Sequence, residues 1–182
     1  MRYTPLEIPG VLRIDIDRQE DDRGFFSRLF CSQEMAVHGL DTNIAQCNNS
    51  LTNVQGTVRG LHFQHPPATE SKFVRCIRGA AFDVAVDLRH GSSTYGKWCS
   101  LELNDHDRCM IYLPQGFAHG FQTLHADTEL LYFHSHPYDP QLQGGLDPLD
   151  PDLAVSWPLP VVGLSERDRS LPGLTQLRPT KL

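Results

Sequence analysis

The stretch "GTVRGLHFQHPPATESKFVR", residues 56–75, combines an extended segment with a proline pair that ends it. Two histidines, His62 and His65, lie three residues apart, and Pro66 and Pro67 follow directly. Side chains alternate between the two faces of a strand, so both histidines can face the same side only if a bulge intervenes. We therefore predict that His65 marks the end of a strand or a loop, whereas His62 lies within the strand.

Short segments with a period of two surround this stretch. Gly and Pro, 14 and 13 residues respectively, separate these segments at frequent intervals. The segments are alternating or apolar and rich in Val, Ile, Phe and Tyr: "GVLRIDID", "KFVRCI", "AAFDVAVDLR", "KWCSLEL", "CMIYLP", "GFQTLH" and "ELLYFHS". Strands spaced about 8 to 12 residues apart are typical of an antiparallel sandwich or barrel. We therefore predict an all-β core.

One short helix and a long irregular arm complete the predicted architecture. The segment "SQEMAVHGL", residues 32–40, has Ser32 in the N-cap position and Gly39 as a stop. Residues 139–182 are rich in Pro, Gly and Asp, which predicts an arm packed across the barrel instead of a second domain. A chain of 182 residues can bury a core without disulfide or metal staples. We therefore predict a single domain, residues 1–182.

Charge and cysteine content exclude several classes of protein. Asp and Glu total 22 against 16 Lys and Arg, a formal net charge of −6, so no overall basic field exists for a nucleic acid. The N-terminus lacks the apolar segment of a signal peptide, and no apolar run approaches the roughly 20 residues of a membrane helix. We expect a cytoplasmic protein with no nucleic-acid and no membrane partner. The cysteines show no CxxC spacing, which predicts reduced, structural thiols: Cys31, Cys47, Cys76, Cys99 and Cys109.

Two segments resemble the two halves of the motif of the cupins, which are small antiparallel barrels. The first half carries Gly56, His62, His65, Glu70 and Gly79, and the second half, "PQGFAHGFQT", carries Pro114, Gly116 and His119. Metal-binding cupins take imidazoles and a carboxylate from these segments, and such a site needs at least three converging ligands. The first half here reads HxxH where metal-binding cupins have HxH. One alternative is therefore a metal-dependent cupin enzyme that uses His62, His65, Glu70 and His119.

Ten ordered blocks extend the resemblance over nearly the whole chain: "DDRGFFSRLF", "QCNNS", "VRGLHFQ", "KFVRCIRG", "FDVAVDLR", "STYGKW", "LPQGFAHGF", "ELLYFHSHPYDP", "LDPDLAVSWP" and "LSERD". Together they are similar to the dTDP-4-dehydrorhamnose 3,5-epimerase family, which uses a metal-independent, cupin-type antiparallel jelly-roll β-barrel. The resemblance implies an isomerase without a cofactor. Its implied reaction inverts C3, C5 or both of a dTDP-4-keto-6-deoxy-hexose in dTDP-rhamnose-type deoxysugar biosynthesis. It also implies a homodimer in which N-terminal strands, within residues 1–30, are exchanged.

The implied reaction needs a base, an acid on the opposite face of the sugar, and a cation or donor at the ketone oxygen. By the resemblance, His62 is the base and Asp168 in "LSERD" orients its ring. Lys72 is the residue that stabilises the enolate oxygen, and Tyr132 is the acid. Taken singly, such a histidine or tyrosine is more often structural, and Asp168 would fit an exposed charge near a helix start. The four residues in their proper blocks favour catalysis.

The resemblance also implies residues that bind the nucleotide half. Arg59 matches an arginine that faces the pyrophosphate, and a bidentate guanidinium suits that contact. Tyr138 matches the aromatic residue that stacks on the thymine ring. The other implied substrate contacts are Arg23, Gln46, Asn48 and His119. From the residues alone, Arg23 would equally fit a turn arginine and Tyr138 a strand-edge aromatic.

Several positions depart from the family pattern and leave the substrate open. Arg28 stands where the family has a glutamate, Phe133 where it has a lysine, and Pro148 where it has a tryptophan. Cys47 and Asn49 replace an aspartate and a histidine. The exact sugar, the nucleotide, and the choice between C3 alone and C3 with C5 therefore stay open. A non-catalytic sugar-nucleotide-binding barrel is a further alternative.

Overall fold

The strands predicted from the period of two form the body of the structure, and every segment quoted above for that pattern contains or overlaps a strand. The computed structural model describes residues 1–181. Its strands are β1 (Arg2–Pro5), β2 (Leu12–Asp15), β3 (Arg18–Asp21), β4 (Gly24–Ser27), β5 (Gln46–Thr52), β6 (Val58–Gln64), β7 (Lys72–Arg78), β8 (Ala80–Asp87), β9 (Trp98–Asn104), β10 (Met110–Leu113), β11 (Phe117–Thr123), β12 (Thr128–His134) and β13 (Gln143–Gly145). Its helices are α1 (Ser32–Val37) and α2 (Glu166–Arg169), with a 3-10 turn at Leu174–Gln176. Within residues 1–181, no helix has the length and apolar character that crossing a bilayer requires.

Most of these strands form two antiparallel sheets. The first sheet has the order β1-β2-β10-β7-β12-β5, and the second sheet has the order β13-β6-β11-β8-β9. Strands that are distant in sequence are neighbours here, as where β7 lies between β10 and β12, so the chain passes repeatedly from one sheet to the other. This arrangement confirms the predicted all-β fold, a cupin-type jelly-roll barrel.

Apolar side chains from both sheets fill the space between them. Val74 and Leu130 of the first sheet and Ala85 and Phe121 of the second belong to one buried cluster. Full burial of an aliphatic or aromatic side chain contributes about 1.5–3 kcal/mol. Because side chains alternate along each strand, one face of each sheet points inward. Polar residues on that inward face are therefore the ones that can form an internal site.

Segments outside the two sheets cover their outer faces. On the first sheet, Phe73 and Met110 pack with Met35 of α1. On the second sheet, Leu61 packs with Leu146, which belongs to the predicted C-terminal arm. The same arm supplies β13, which pairs with β6. The arm therefore runs along the second sheet, while the division of the chain into one domain with terminal arms stays a prediction.

Helix α1 begins one position earlier than the sequence predicted. Cys31, not Ser32, is the N-cap residue, and no side chain caps the helix. The helix ends at Val37, before Gly39, which has a φ of +73°. Tertiary contacts account for the shifted start: the N-terminal amine of Met1 donates to Glu34 Oε1 at 2.6 Å and holds the first turn in place. The predicted Ser32 cap was therefore wrong, because a long-range contact replaced the local one.

The hairpin β3–β4 forms a two-stranded unit separate from both sheets. Every residue of β3 is exposed, and Phe25 and Phe26 on β4 expose 42 % and 73 % of their surfaces. Arg23 lies in the turn, where its Nε donates to Asp21 at 3.1 Å. Because neighbouring side chains of a strand point to opposite faces, the two rings lie on opposite sides of the hairpin: the Arg108 guanidinium lies 4.7 Å from the centre of the Phe25 ring, and Phe26 is the more exposed of the two.

Candidate active site

A cavity of about 860 Å³ opens between the two sheets. Its walls come from β5, β7 and β12 of the first sheet, β6 and β11 of the second, and the arm at residues 163–168. Cavities of this size with a few convergent polar groups are typical of small-molecule sites. The residues implied by the family resemblance that line it are His62, Lys72, Tyr132, Asp168, Asn48, Arg59, His119 and Tyr138.

A close approach of two strands places two histidines next to each other. Gly60 on β6 has a φ of +132°, and a Cβ there would lie 2.6 Å from the Cα of Gly120 on β11. Only glycine allows both this conformation and this approach. The pairing register shifts at this point, and His62 lies opposite His119. The glycines therefore set the position of both imidazoles in the cavity.

Asp168 is the hydrogen-bond partner of His62. Nε2 of His62 donates to Asp168 Oδ1 at 2.7 Å, and the N–H of Gly60 donates to Oδ2 at 3.4 Å. Ser165 caps α2 by accepting from the N–H of Asp168, so the buried carboxylate is held in the first turn and is not an exposed charge. Burial lowers the pKa of His62, although the Asp168 carboxylate acts against this shift. The ring is therefore neutral at pH 7, and its other nitrogen, Nδ1, is a proton acceptor.

A second His–Asp pair lies beside the first, and the sequence analysis did not identify its carboxylate. Nε2 of His119 donates to Asp83 Oδ2 at 2.8 Å, and Asp83 is fully buried. Burial raises the pKa of Asp83, while the neighbouring His119 acts in the opposite direction. Oδ1 of Asp83 has no hydrogen-bond partner among residues 1–181. A single carboxylate in the apolar strand "AAFDVAV" was the available signal, because burying an isolated charge is costly.

Tyr132 contributes a hydroxyl from the first sheet. Its ring is edge-on to that of His119, with 6.1 Å between the centroids, and its Oη lies 3.3 Å from Ser50 Oγ. Burial raises the pKa of the Tyr132 phenol well above its ordinary value. The hydroxyl therefore keeps its proton at neutral pH and can act as a general acid.

Lys72 lies on the first sheet in a buried ion pair. Its Nζ is 3.1 Å from Glu70 Oε1, and each side chain is only 9 % exposed. Nδ1 of His134 donates to the other oxygen of Glu70, Oε2, at 2.7 Å. Burial raises the pKa of Glu70, but the Lys72 charge and the hydrogen bond with His134 outweigh it and lower the pKa overall. Glu70 is therefore an ionised carboxylate, and His134 is a cavity residue that the sequence analysis missed.

The residues implied for nucleotide binding are divided between the cavity and the hairpin. Asn48, Arg59 and Tyr138 line the cavity. Gln46 lies beside them, and its Oε1 accepts from the Tyr138 N–H at 2.9 Å. Arg23 lies in the β3–β4 turn, outside this cavity, in the place of a turn arginine. Within one chain, all of the catalytic and substrate-binding residues implied by the resemblance therefore lie in or beside the cavity, except Arg23.

The four residues of the metal-dependent alternative do not converge. His65 is exposed outside the cavity, with its ring edge-on to Phe63 at a centroid distance of 4.9 Å. His62, Glu70 and His119 each contact a different partner. Across residues 1–181, no three His, Cys, Asp or Glu side chains are grouped so that they could hold a metal ion. The two histidines of the HxxH segment therefore lie in different places, His62 in the cavity and His65 outside it, as strand alternation predicts.

The departures from the family pattern fall in different parts of the structure. Cys47 and Asn49 line the cavity, so they alter its polar surface directly. Phe133 packs on the outer face of the first sheet, and Arg28 forms an ion pair with α1. Pro148 lies in the arm, where its carbonyl accepts a hydrogen bond. Of these five positions, only Cys47 and Asn49 line the cavity of this chain.

Comparison with known proteins identifies the family of this chain. The family model for dTDP-4-dehydrorhamnose 3,5-epimerase matches residues 5–176. The chain is 44 % identical over 178 residues to the dTDP-4-dehydrorhamnose 3,5-epimerase of Sinorhizobium fredii (strain NBRC 101917 / NGR234), a match that covers 97 % of this chain and 91 % of that protein. It is 42 % identical over 183 residues to the dTDP-4-dehydrorhamnose 3-epimerase of Streptomyces niveus, covering 100 % of this chain and 88 % of that protein.

The fold is also similar to that of a solved relative. NovW, a 4-keto-6-deoxy sugar epimerase from the novobiocin biosynthetic gene cluster of Streptomyces spheroides, superposes with a TM-score of 0.93 at 41 % sequence identity. The superposition covers 99 % of this chain and 93 % of NovW. This chain therefore belongs to the dTDP-4-dehydrorhamnose 3,5-epimerase family.

Proposed function

We propose that this chain inverts C3, with or without C5, of a dTDP-4-keto-6-deoxy-hexose through an enolate. The observation that carries the proposal is the placement of His62 and Tyr132 in one cavity, each on a different sheet. Epimerisation requires such a division, because a proton leaves one face of the sugar and a proton returns to the other. The names of the relatives, which are dTDP-4-dehydrorhamnose epimerases, support the same substrate class.

His62 acts as the base in this proposal. The ketone at C4 acidifies the protons on C3 and C5, so a neutral imidazole is basic enough to remove one of them. Nε2 is bonded to Asp168, which leaves Nδ1 to accept the proton. The Asp168 carboxylate then lies 2.7 Å from an imidazolium, and this contact stabilises the charge that forms. Asp168 thus orients the base and favours its protonated product.

Lys72 stabilises the enolate oxygen. Proton removal moves negative charge from the carbon to the C4 oxygen, and a fixed ammonium in a cavity with little water interacts strongly with that charge. The Lys72 side chain lines the cavity, and only 9 % of it is exposed. Its ammonium is therefore held inside the cavity and shielded from bulk water. His119 is a substrate contact beside the base, held by Asp83 at 2.8 Å.

Tyr132 completes the inversion by donating its proton to the opposite face of the enolate. Burial keeps the phenol protonated until charge develops on the substrate, since its pKa is raised. Ser50 lies within 3.3 Å of the phenol oxygen, where it can donate to the phenolate that remains. Acid and base therefore have separate, opposite roles.

The nucleotide half is assigned to the opening of the same cavity. Arg59 binds the pyrophosphate, because its guanidinium is the cation best suited to two phosphate oxygens. Tyr138 is 52 % exposed at the edge of the cavity, and its ring stacks on the thymine. Gln46 and Asn48 supply polar contacts to the nucleotide.

We place the reaction in deoxysugar biosynthesis of the dTDP-rhamnose type, in the cytoplasm. The relatives include both a 3,5-epimerase and a 3-epimerase, so C3 is the position common to them. Inversion at C3 is therefore the minimal activity proposed for this chain. Inversion at C5 requires a second cycle in which the same base removes a proton and the same acid returns one.

The active form in this proposal is a homodimer in which each hairpin β3–β4 reaches the partner. β1 and β2 pair within their own chain, so the hairpin is the N-terminal element available for exchange. The hairpin carries Arg23, which lies outside the cavity of its own chain, and 73 % of the Phe26 surface on it is exposed. Light scattering at micromolar concentration should give twice the mass of one chain. A monomer under those conditions would contradict the dimer and leave Arg23 without a role in binding.

Deuterium exchange tests the proposed function directly. The protein is incubated with a dTDP-4-keto-6-deoxy-hexose in D2O, and NMR follows the incorporation of deuterium into the sugar. We expect incorporation at C3. His62→Ala should lower the exchange rate by about 10²- to 10⁴-fold, the usual contribution of a general base. His65→Ala is the matched control and should exchange at the parent rate, because His65 lies outside the cavity. No exchange with any tested sugar nucleotide would favour the non-catalytic binding barrel.

A further inference from the structure

A chain of hydrogen bonds runs along the wall of the first sheet to Lys72. Nζ of Lys72 contacts Glu70 Oε1 at 3.1 Å, and Glu70 Oε2 accepts from His134 Nδ1 at 2.7 Å. Nε2 of His134 lies 3.2 Å from Asn48 Nδ2. The Oδ1 of Asn48 accepts from Gln46 at 3.0 Å. Glu70 and His134 thus connect the lysine with the residues assigned to the nucleotide.

The hydrogen-bond partners assign a role to each ring nitrogen of His134. The Asn48 oxygen already accepts from Gln46, so its amide nitrogen is the group that faces His134. An amide nitrogen can only donate, which makes Nε2 of His134 the acceptor. Nδ1 then carries the hydrogen and donates to Glu70. The His134 imidazole therefore holds one oxygen of the carboxylate and leaves the other for Lys72.

Lys72 has few other contacts that would fix its position. Its second polar contact, with the carbonyl of His62, is 3.5 Å long. A lysine side chain is flexible, and its ammonium has no planar geometry that orients it. The Glu70 carboxylate is only 9 % exposed, so the contact with Lys72 is shielded from water and from salt. Glu70 is therefore the principal restraint on the ammonium.

His134 also restrains the proposed acid. Its ring is stacked on that of Tyr132, with 5.9 Å between the centroids and 17° between the planes. The register of β12 on β7 places His134 opposite Lys72 and Tyr132 opposite Val74. One imidazole thus contacts both the carboxylate that holds the lysine and the ring of the tyrosine.

We propose that Glu70 and His134 are positioning residues that together hold the Lys72 ammonium where the enolate oxygen forms. The proposal rests on the proposed function for its activity readout. It adds two residues to which the sequence analysis gave no such role, since Glu70 entered only as a metal ligand and His134 was not identified. Neither residue has to touch the substrate.

The first test measures, without any substrate, how strongly Glu70 restrains the Lys72 amine. The chain contains three lysines, Lys72, Lys97 and Lys181, so acetylation by N-hydroxysuccinimidyl acetate can be followed at each by mass spectrometry. In the parent, Glu70 holds the Lys72 amine in an ion pair at 3.1 Å, which restricts its approach to the reagent. Glu70→Gln removes that restraint and should speed the acetylation of Lys72 by about tenfold, on the order of one ion-pair contact. The exposed Lys97 serves as the internal control and should react at an unchanged rate.

The second test measures catalysis with a dTDP-4-keto-6-deoxy-hexose. Glu70→Gln should lower kcat by about 10- to 100-fold with KM within about twofold, because the ammonium acts on charge that exists only in the transition state. His134→Phe keeps a ring to stack on Tyr132 but removes both nitrogens, and it should give a smaller loss in the same direction. His65→Gln, outside the cavity, is the matched control and should leave kcat unchanged.

A double-variant cycle separates positioning from general damage to the fold. In a Lys72→Met background, adding Glu70→Gln should change kcat by less than about twofold, since residues that act through one another are not additive. An equal loss in both backgrounds, or unchanged acetylation of Lys72 in Glu70→Gln, would overturn the proposal. If the parent is inactive on every sugar nucleotide, the proposed function fails, while the acetylation rates still test the hold of Glu70 on Lys72.

Discussion

Replacing Asp168 by asparagine tests the His62–Asp168 pair with little change of shape. Asp168→Asn removes the negative charge that lies 2.7 Å from His62 Nε2. The new carboxamide can also turn its NH2 group toward Nε2. In that case Nδ1 would carry the hydrogen, and the ring could not accept a proton from the substrate. Both effects lower activity, and the first also changes the pH dependence.

The size of the effect follows from the distance between the two groups. An opposite charge within about 4–6 Å shifts a pKa by about 1–3 units, and each unit corresponds to about 1.4 kcal/mol. The Asp168 carboxylate is well inside that range, and its side chain is only 6 % exposed. Without it, burial and the nearby positive charges of Lys72 and Arg167 lower the pKa of His62 further. We therefore expect kcat/KM to fall by about 10- to 1,000-fold.

The assay is the pH profile of kcat/KM for deuterium exchange at C3. Activity should rise with pH as His62 loses its proton, and because burial lowers its pKa, this rise should lie below the ordinary value of 6.5. In Asp168→Asn the rise should move to lower pH by about one unit or more, while the plateau falls. Asp152→Asn is the control: Asp152 is exposed in the arm, away from the cavity, and its profile should match the parent.

Two results would refute this account of the pair. One is an Asp168→Asn enzyme with kcat/KM within about twofold of the parent, since a charge at hydrogen-bond distance must matter more than that. The other is a loss of activity with the pH profile at its original position, which would assign Asp168 a purely structural role in α2.

Three further substitutions test the acid, the strand contact and a buried carboxylate. Tyr132→Phe should abolish completed epimerisation but leave some exchange in D2O by NMR, because the base can still remove and return a proton on its own face; loss of all exchange would contradict the two-sided arrangement. Gly60→Ala should reduce the free energy of unfolding in urea by about 3 kcal/mol or more, because its Cβ would lie 2.6 Å from the facing strand. Gly91→Ala, also at positive φ but with nothing within 4 Å, should cost about 1–2 kcal/mol, and equal costs would disprove the role of the contact. Burial raises the pKa of Asp87, but hydrogen bonds, chiefly from Arg89, outweigh it and lower the pKa from 3.8 to about 2. This carboxylate contributes stability that is present above pH 3.8 and is lost as the pH falls toward 2. Asp87→Asn should therefore cost about 2 kcal/mol at pH 7 and much less near pH 2, and a cost that does not change with pH would contradict this.

Local patterns in the sequence were sufficient to predict much of the candidate site. The family blocks contain His62, Lys72, Tyr132 and Asp168, and all four line one cavity. Strand alternation correctly separated His62 from His65, because that pattern depends only on neighbouring residues. The roles of these residues in catalysis stay predictions.

The missed residues depend on contacts between distant parts of the chain. Asp83 and His119 are separated by 36 positions, and Glu70 and His134 by 64. No local pattern shows that a carboxylate on one strand will meet an imidazole on another. The start of α1 was misplaced for the same reason, since the amine of Met1 contacts Glu34 from 33 positions away.

The sequence by itself therefore determined the all-β fold, the family and the types of residue that carry the chemistry, because alternation and ordered blocks are properties of consecutive residues. The tertiary structure alone decided which carboxylate holds which imidazole, because each such pair forms where the two sheets and the arm meet. His62 and Asp168 lie 106 positions apart and still share a hydrogen bond of 2.7 Å. The close approach of Gly60 and Gly120 lies beside His62, and Ser165 Oγ accepts from the Asp168 N–H, so contacts between distant segments hold both side chains where they meet.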